Sequence, residues 1–359
     1  MNITVLIGSI TVVLLLIFAI FSFKSGKNSK LSNFYLGFFL FSNFVFLLSF
    51  IAPDLGRFLN LDLAIVQQLG NPFCFLFGPF LYLFTLAITN NQHKFSIYYY
   101  LHLFPFIVFS ILSFYPNSLL STNFYMIFNI HVFLYLFICV RAILAYQKNI
   151  KSYFSSIEKI NFEWLLYIVG AFIIMWFIDF LAYYLLEFGI INSSILDWSN
   201  FLSILINLTF IVILFFKALQ EPQFLLASKV NSNDKYLGSN LSQELKKEQL
   251  KKLQEFFDEN QPYLDSGLTI SDVSESIDVS VKNLSQIINE LLQKNFYDYT
   301  NSFRIDFAKK KLTDSKNEHL TIQEVFYDSG FNSKSAFNAA FKKHTHLTPT
   351  EFRRQNGVC

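Results

Sequence analysis

Seven stretches of about twenty predominantly apolar residues fill the first 220 positions of this chain, and they restrict its folding before any motif is considered. They run Ile3 to Phe23, Asn33 to Ala52, Leu63 to Thr89, Ser96 to Tyr115, Phe124 to Tyr146, Trp164 to Leu186 and Phe201 to Leu219. A helix needs about 20 such residues to cross a hydrocarbon layer of roughly 30 Å. Inside that layer a segment must satisfy its own backbone hydrogen bonds, which selects helices. The third stretch contains Asn71-Pro72 and Gly78-Pro79, so a kink or a split into a short and a long piece is expected there. Pro105 makes the fourth the least regular span.

Charge marks where this region ends. Residues 1 to 228 hold ten of the 28 basic and eight of the 26 acidic side chains, leaving 18 of each sign for the last 131 residues. The expected organisation is a polytopic region over 1–221, a polar linker over 222–240, an amphipathic connecting helix within 241–265 and a soluble domain over 266–359. The apolar run from Ile3 has no basic residue before it and no small-residue cleavage site, so it reads as a retained membrane helix.

Loop charges set an orientation. With the N-terminus outside, the inner loops hold Lys24, Lys27 and Lys30, then Lys94, then Lys148, Lys151 and Lys159, and the outer loops hold only Arg57. Seven spans then put the C-terminal domain in the cytoplasm of a cell whose membrane the chain crosses many times.

Polar residues within the spans are the first place to look for a signal site, because exposing them to lipid is costly. Counting about 1.5 Å per residue, His131 and Asp179 lie roughly 10 Å from the outer ends of their spans, and Asn43, Asn71 and Asn207 lie at a similar depth. They form either a pocket for a small molecule or cross-helix packing contacts. Cys74, Cys139 and Cys359 lack metal or disulfide spacing. With no nucleophile beside a base, no metal cluster and no phosphate loop, we expect no enzyme activity, cofactor or metal.

In the soluble part, Leu241, Leu245, Leu250, Leu253, Phe256 and Phe257 recur at helical spacing. This helix either packs on the domain behind it or dimerises the chain. Two copies of one pattern follow. Thr269 to Asp272 has capping-box spacing, Val273 and Ile277 point inward, and Ser280 caps a helix with Leu284, Ile287, Ile288 and Leu291 on its buried stripe. Thr321 to Glu324 repeats the box, Val325 points inward, Gly330 supplies the turn, and Ser333 caps a helix with Phe337, Ala340 and Phe341 inside.

The outward residues of the second helix in each copy are Lys282, Ser285, Gln286 and Asn289, and Lys334, Ser335, Asn338 and Lys342. Such side chains suit a major groove, where Lys reaches guanine or phosphate and Asn or Gln bonds adenine. Lys334, Lys342, Lys343, Arg353 and Arg354 face only Glu351 in their stretch, so the neutral domain is locally basic. A helix over Tyr297 to Leu312, about 24 Å long, separates the copies and carries Arg304 and the run Lys309 to Lys311, which could meet phosphates.

Residues Thr269 to Arg354 resemble the tandem helix-turn-helix domain of the AraC/XylS family. The resemblance rests on Gly330-Phe331, Phe337, Phe341-Lys342, Thr348-Pro349 and Phe352-Arg353. It departs at Phe326, where the family usually has Ala, and at His346, where a Gly usually ends the recognition helix; Asn295 is expected at the corresponding place in the first copy. The motif Leu284-Ser285-Gln286 through Asn301 to Arg304 is similar to the membrane-anchored subset of this family. The resemblance implies an all-α fold, a seven-helix transmembrane bundle followed by a cytoplasmic tandem helix-turn-helix domain. It implies double-stranded promoter DNA as partner, alongside membrane lipids and a small-molecule or membrane signal. RNA polymerase and a second copy of the chain are further candidate partners. A transporter-like bundle with a fused reporter domain, or a bundle acting as anchor or dock, stand as alternatives.

Overall fold

The computed structural model describes residues 3–24, 30–89, 97–115, 123–158, 160, 163–190, 192–220, 241–317 and 319–356. The linker 222–240 lies outside the described residues, as do Lys27, Lys94, Lys159 and Cys359. The chain divides into two compact units, Met1–Leu144 with Glu163–Lys229, and Ala145–Phe162 with Val230–Cys359. The described residues of both are helical, and no strand occurs among them.

The first unit begins with α1 (Ile3–Lys24) and α2 (Lys30–Leu59), which pack along one another. The third apolar stretch is divided as its prolines require. α3 (Ala64–Gly70) passes into a 3-10 turn over Asn71–Leu76, with Pro72 at its start, and then into α4 (Phe77–Thr89). The fourth stretch opens as a 3-10 segment, Ile97–Leu103, and becomes α5 (Phe104–Leu112) with Pro105 in its first turn, where a missing N–H costs nothing. α6 (Phe124–Ile150), α7 (Glu163–Glu187) and α8 (Ser193–Gln220) complete the set. Among the described residues, five helical stretches are long and apolar enough to cross a membrane: α1, α2, the composite Ala64–Thr89, α6 and α7. The apolar helices Ile97–Leu112 and Asp197–Ile213 are shorter. Large apolar side chains such as Ile17, Phe133 and Phe177 stay exposed, as expected for helices compatible with membrane insertion.

The second unit is built on α9 (Gln243–Asn260), α10 (Ile270–Ile277), α11 (Val281–Leu292), α12 (Phe296–Thr313), α13 (Ile322–Asp328), α14 (Lys334–Thr345) and α15 (Pro349–Gln355). Two cores lie on either side of α12. The first joins Leu253 and Phe257 of α9 to Ile270, Val273, Leu284, Ile288 and Tyr299; the second joins Ile305 and Ala308 to Val325, Phe326, Phe331, Phe337 and Phe341. The amphipathic helix therefore packs on the domain behind it and shares its core. The connection between α6 and α7 also packs in this unit, although its sequence position assigns it to the apolar region.

Each expected cap is formed. Thr269 with Asp272 and Thr321 with Glu324 make complete capping boxes, and Thr348 with Glu351 makes a third. Ser280 and Ser333 accept from Asn283 and Ala336. His346 ends α14 in the left-handed region at φ 62°. In the first copy that conformation falls on Gln293 at φ 52°, and Asn295 instead caps α12, its Oδ1 accepting from the Asp298 amide at 2.8 Å. The expectation for Asn295 is corrected accordingly: an Asx side chain two residues before a helix gains more as its N-cap than as a left-handed residue. Phe326 is buried in the second core against Phe337, so the bulky side chain is accommodated by aromatic packing.

Candidate nucleic-acid interface

α13 and α14 form the second helix pair, joined by a turn through Gly330 at φ 78°. A Cβ there would lie 2.4 Å from the Tyr263 carbonyl oxygen, so both the backbone angle and the approach of the chain from the first half require glycine. Phe337, Ala340 and Phe341 anchor the inner face of α14 in the core, which fixes its outer face. Lys334, Ser335, Asn338 and Lys342 are all exposed on that face. Lys334, Asn338 and Lys342 line a groove of about 510 Å³ with Gln323 of α13 and Thr348 and Thr350 at the start of α15.

The neighbouring charges divide. Lys343 is tied to Asp298 at 2.7 Å, and the Arg353 guanidinium donates to the Leu320 carbonyl. Lys309 and Lys311 pair with Asp306 and Asp328, whereas Lys310 is exposed. The basic character left exposed around α14 is carried by Lys334, Lys342 and Arg354.

The first pair, α10 and α11, has the same layout and a different surface. Ser285 and Gln286 are each only 7% exposed, and Lys282 and Asn289 are half-buried. The Gln286 amide donates to Glu290, which also receives Lys246 of α9 at 2.7 Å, and the Asn289 amide donates to the Ser285 carbonyl. The Lys246 ammonium, and after it the Gln286 amide, hold the Glu290 carboxyl below its ordinary value.

Comparison with known proteins bears on this region. Residues 273–355 match the family model described as "Helix-turn-helix domain". The C-terminal domain is a helix-turn-helix domain of the AraC type. Over 86 residues the chain is 35% identical to an uncharacterized HTH-type transcriptional regulator of Staphylococcus aureus (strain COL), which covers 24% of this chain and 11% of that protein. Over 137 residues it is 28% identical to the uncharacterized HTH-type transcriptional regulator YijO of Escherichia coli (strain K12), covering 38% of this chain and 46% of that protein. The chain thus spans about a tenth of the first relative and under half of the second. No solved structure matches it.

The AraC-type domain also contains a residue whose role the sequence pattern did not single out. Arg304, at the middle of α12, is 0% exposed. Its Nε donates to the Tyr263 carbonyl, Nη1 to the Ser155 carbonyl and to Asn301, and Nη2 to the Asp265 carbonyl and the Ser155 hydroxyl. The guanidinium also lies over the Phe331 ring, 5.5 Å from its centre. Burial pushes Arg304 down to about 10, while Glu158, Tyr297 and Asp265 favour its charged form, so it stays protonated at neutral pH.

In the first unit the polar residues of the apolar helices separate into two groups. Asn43, Asp179 and Asn207 line one cavity of about 310 Å³ with Ser203, Asn129 and Trp176, and the Ser203 hydroxyl donates to Asp179. His131 lies outside it, packed on Phe75 and Tyr135, and neither ring nitrogen has a hydrogen-bond partner among the described residues. Asn71 accepts from the Ser49 hydroxyl at the junction of α3 and the 3-10 turn.

Proposed function

We propose that this chain is a membrane-embedded one-component regulator of transcription. Two helix-turn-helix units read promoter DNA in the cytoplasm, under control of a signal received by seven apolar helices whose N-terminus is outside. The observation that carries the reading is the exposure of Lys334, Ser335, Asn338 and Lys342 on a helix whose opposite face is locked by Phe337 and Phe341. A rigid helix presenting short amides and lysines beside a groove is what direct readout of base edges needs. Lys334 and Arg354 suit the phosphates that fix register.

Two shorter apolar helices beside the five long ones support a count of seven, and Asn43, Asp179 and Asn207 around one cavity support a small-molecule seat there. RNA polymerase and a second copy of the chain are the partners through which occupancy would alter transcription. The deciding experiment is a genome-wide map of promoter occupancy by the full chain in cells, compared with the Asn338→Ala, Lys342→Ala double variant. The variant should lose specific occupancy while its amount in the membrane is unchanged. Undiminished occupancy would remove α14 from the reading role.

A further inference from the structure

The connection between α6 and α7 is more than a loop. Its residues Lys151 to Ser156 continue from the end of α6 as a turn, a single bridge residue and a bend, and Lys151, Tyr153 and Ser155 bond to the backbone of the AraC-type domain. The Tyr297 amide donates to the Lys151 carbonyl at 2.9 Å, and the Ile270 amide donates to the Tyr153 carbonyl at 2.9 Å. The Ser155 amide donates to the Leu268 carbonyl at 3.1 Å, and Phe154 forms an antiparallel bridge with Thr269. The three bonds and the single bridge tie the turn to the domain at Leu268 to Ile270 and at Tyr297.

What the segment satisfies matters more than its shape. Ile270 and Tyr297 belong to the first turns of α10 and α12, whose leading N–H groups have no acceptor within their own helices. Lys151 and Tyr153 supply those acceptors. Ser155, itself 0% exposed, supplies two more to Arg304 through its carbonyl at 2.8 Å and its hydroxyl at 3.0 Å. Arg304 has five N–H donors, and it touches the first half through Tyr263 and Asp265 and the second through Phe331. Tyr153 packs on the first core. One short segment therefore caps two helices and completes the residue that joins both halves.

The geometry points to this segment as a docked strap, through which α6 and α7 act directly on the arrangement of the two helix pairs. The apolar region then has two covalent routes into the AraC-type domain: the end of α8 through the linker, and the strap. A shift or rotation of α6 against α7 pulls on Ser155, and Arg304 loses acceptors that water cannot replace in a closed core. Because the halves meet at Arg304, their relative setting changes, and with it the affinity for a two-part site. The affinity arm rests on the regulator reading above; the docking itself does not.

The test uses the full chain in lipid nanodiscs, with backbone amide exchange read residue by residue. In the native chain the amides of Ser155, Ile270 and Tyr297 should exchange at least 100-fold more slowly than in an unstructured peptide. Ser155→Pro removes the amide and the hydroxyl together, and should speed exchange at Ile270 and Tyr297 at least tenfold while Val325 in the second core is unchanged. Should Ser155→Pro also release Val325, Ser155→Ala keeps the backbone bonds, and a rise of about threefold at Tyr297 is expected from the loosened Arg304. Peptide-like exchange at Ser155 in the native chain, or no change at Ile270 and Tyr297 in either variant, would overturn the docking. In cells, Ser155→Ala should change promoter occupancy at least fivefold at equal membrane level. Unchanged occupancy there, with occupancy lost in the Asn338, Lys342 double variant, would overturn the coupling and leave the regulator reading standing.

Discussion

The two helix pairs of the AraC-type domain share their caps and spacing and differ in three physical respects. The first pair turns through Asp278 at φ 51° and the second through Gly330 at φ 78°. The first is cored by Leu284, Ile287 and Ile288, the second by Phe337 and Phe341. The polar face of α11 is largely buried and tied to Glu290, whereas that of α14 is exposed. The repeat thus conserves what makes a helix pair fold and varies what the pair presents. Under the proposed function, the second pair presents its polar face as it stands, and the first would have to uncover Ser285 and Gln286 to do the same.

The largest expected effect breaks the comparison at the turn. Gly330→Ala places a Cβ 2.4 Å from the Tyr263 carbonyl oxygen and forces a left-handed alanine. Strain of about 1–2 kcal/mol for the angle adds to overpacking of about 1–3 kcal/mol. The second pair should lose its cooperative unfolding transition or shift it down by more than 10 °C in thermal melts of the full chain. Asp278→Gly, at the equivalent turn, should leave the first pair folded and slightly stabilised. Equal damage at both turns would show that the approach of Tyr263 does not distinguish them.

Next in size is the exposed face of α14. Asn338→Ala and Lys342→Ala together should weaken binding to an occupied promoter at least 100-fold, since each base contact is worth about 1–3 kcal/mol. Ser285→Ala with Gln286→Ala should cost less than tenfold, and Glu290→Ala, which frees Gln286, should raise affinity a few fold. Matching losses from the two double variants, measured by titration of the full chain in nanodiscs, would mean that both faces read DNA equally.

Much of this asymmetry was beyond the reach of sequence, for identifiable reasons. Capping residues act within four positions of their partners, so Thr269, Ser280, Thr321 and Ser333 could be read directly, and so could the left-handed end at His346. The burial of Ser285 and Gln286 depends on tertiary surroundings that a polar, helical pattern does not encode. Arg304 looks like any exposed basic residue on a helix until its acceptors are known, and those on the strap lie about 150 positions away in the chain. Gln293 took the left-handed place expected for Asn295 because Asn295 was engaged as a cap. Among the apolar helices, Pro72 and Pro105 announced their breaks, but depth counting could not tell that Asn43, Asp179 and Asn207 share a cavity while His131 and Asn71 do not, because helix rotation is set by packing.

A smaller effect sharpens the charge difference. Each phosphate contact contributes about 0.9 to the slope of log affinity against log salt. Lys334→Ala should therefore lower that slope by roughly one and weaken binding similarly on all sequences. Lys309→Ala should leave it unchanged, because Lys309 is paired with Asp306. A slope change at Lys309 would mean that its pair opens on binding and that α12 lies against the backbone after all.

The smallest effect concerns where both pairs agree. α11 and α14 each end on a left-handed residue with a side chain, Gln293 at φ 52° and His346 at φ 62°. An L-residue held there costs about 1–2 kcal/mol that glycine avoids, partly offset by the greater freedom glycine has in the unfolded chain. Gln293→Gly and His346→Gly should each stabilise the domain by about 0.5–1 kcal/mol, a rise of a few degrees in the thermal midpoint. The two gains should be alike, since neither residue's conformation depends on the face its helix presents. A gain at His346 with none at Gln293 would place the difference between the pairs in the backbone as well as the surface, and would make the end of α11 part of what holds Ser285 and Gln286 closed.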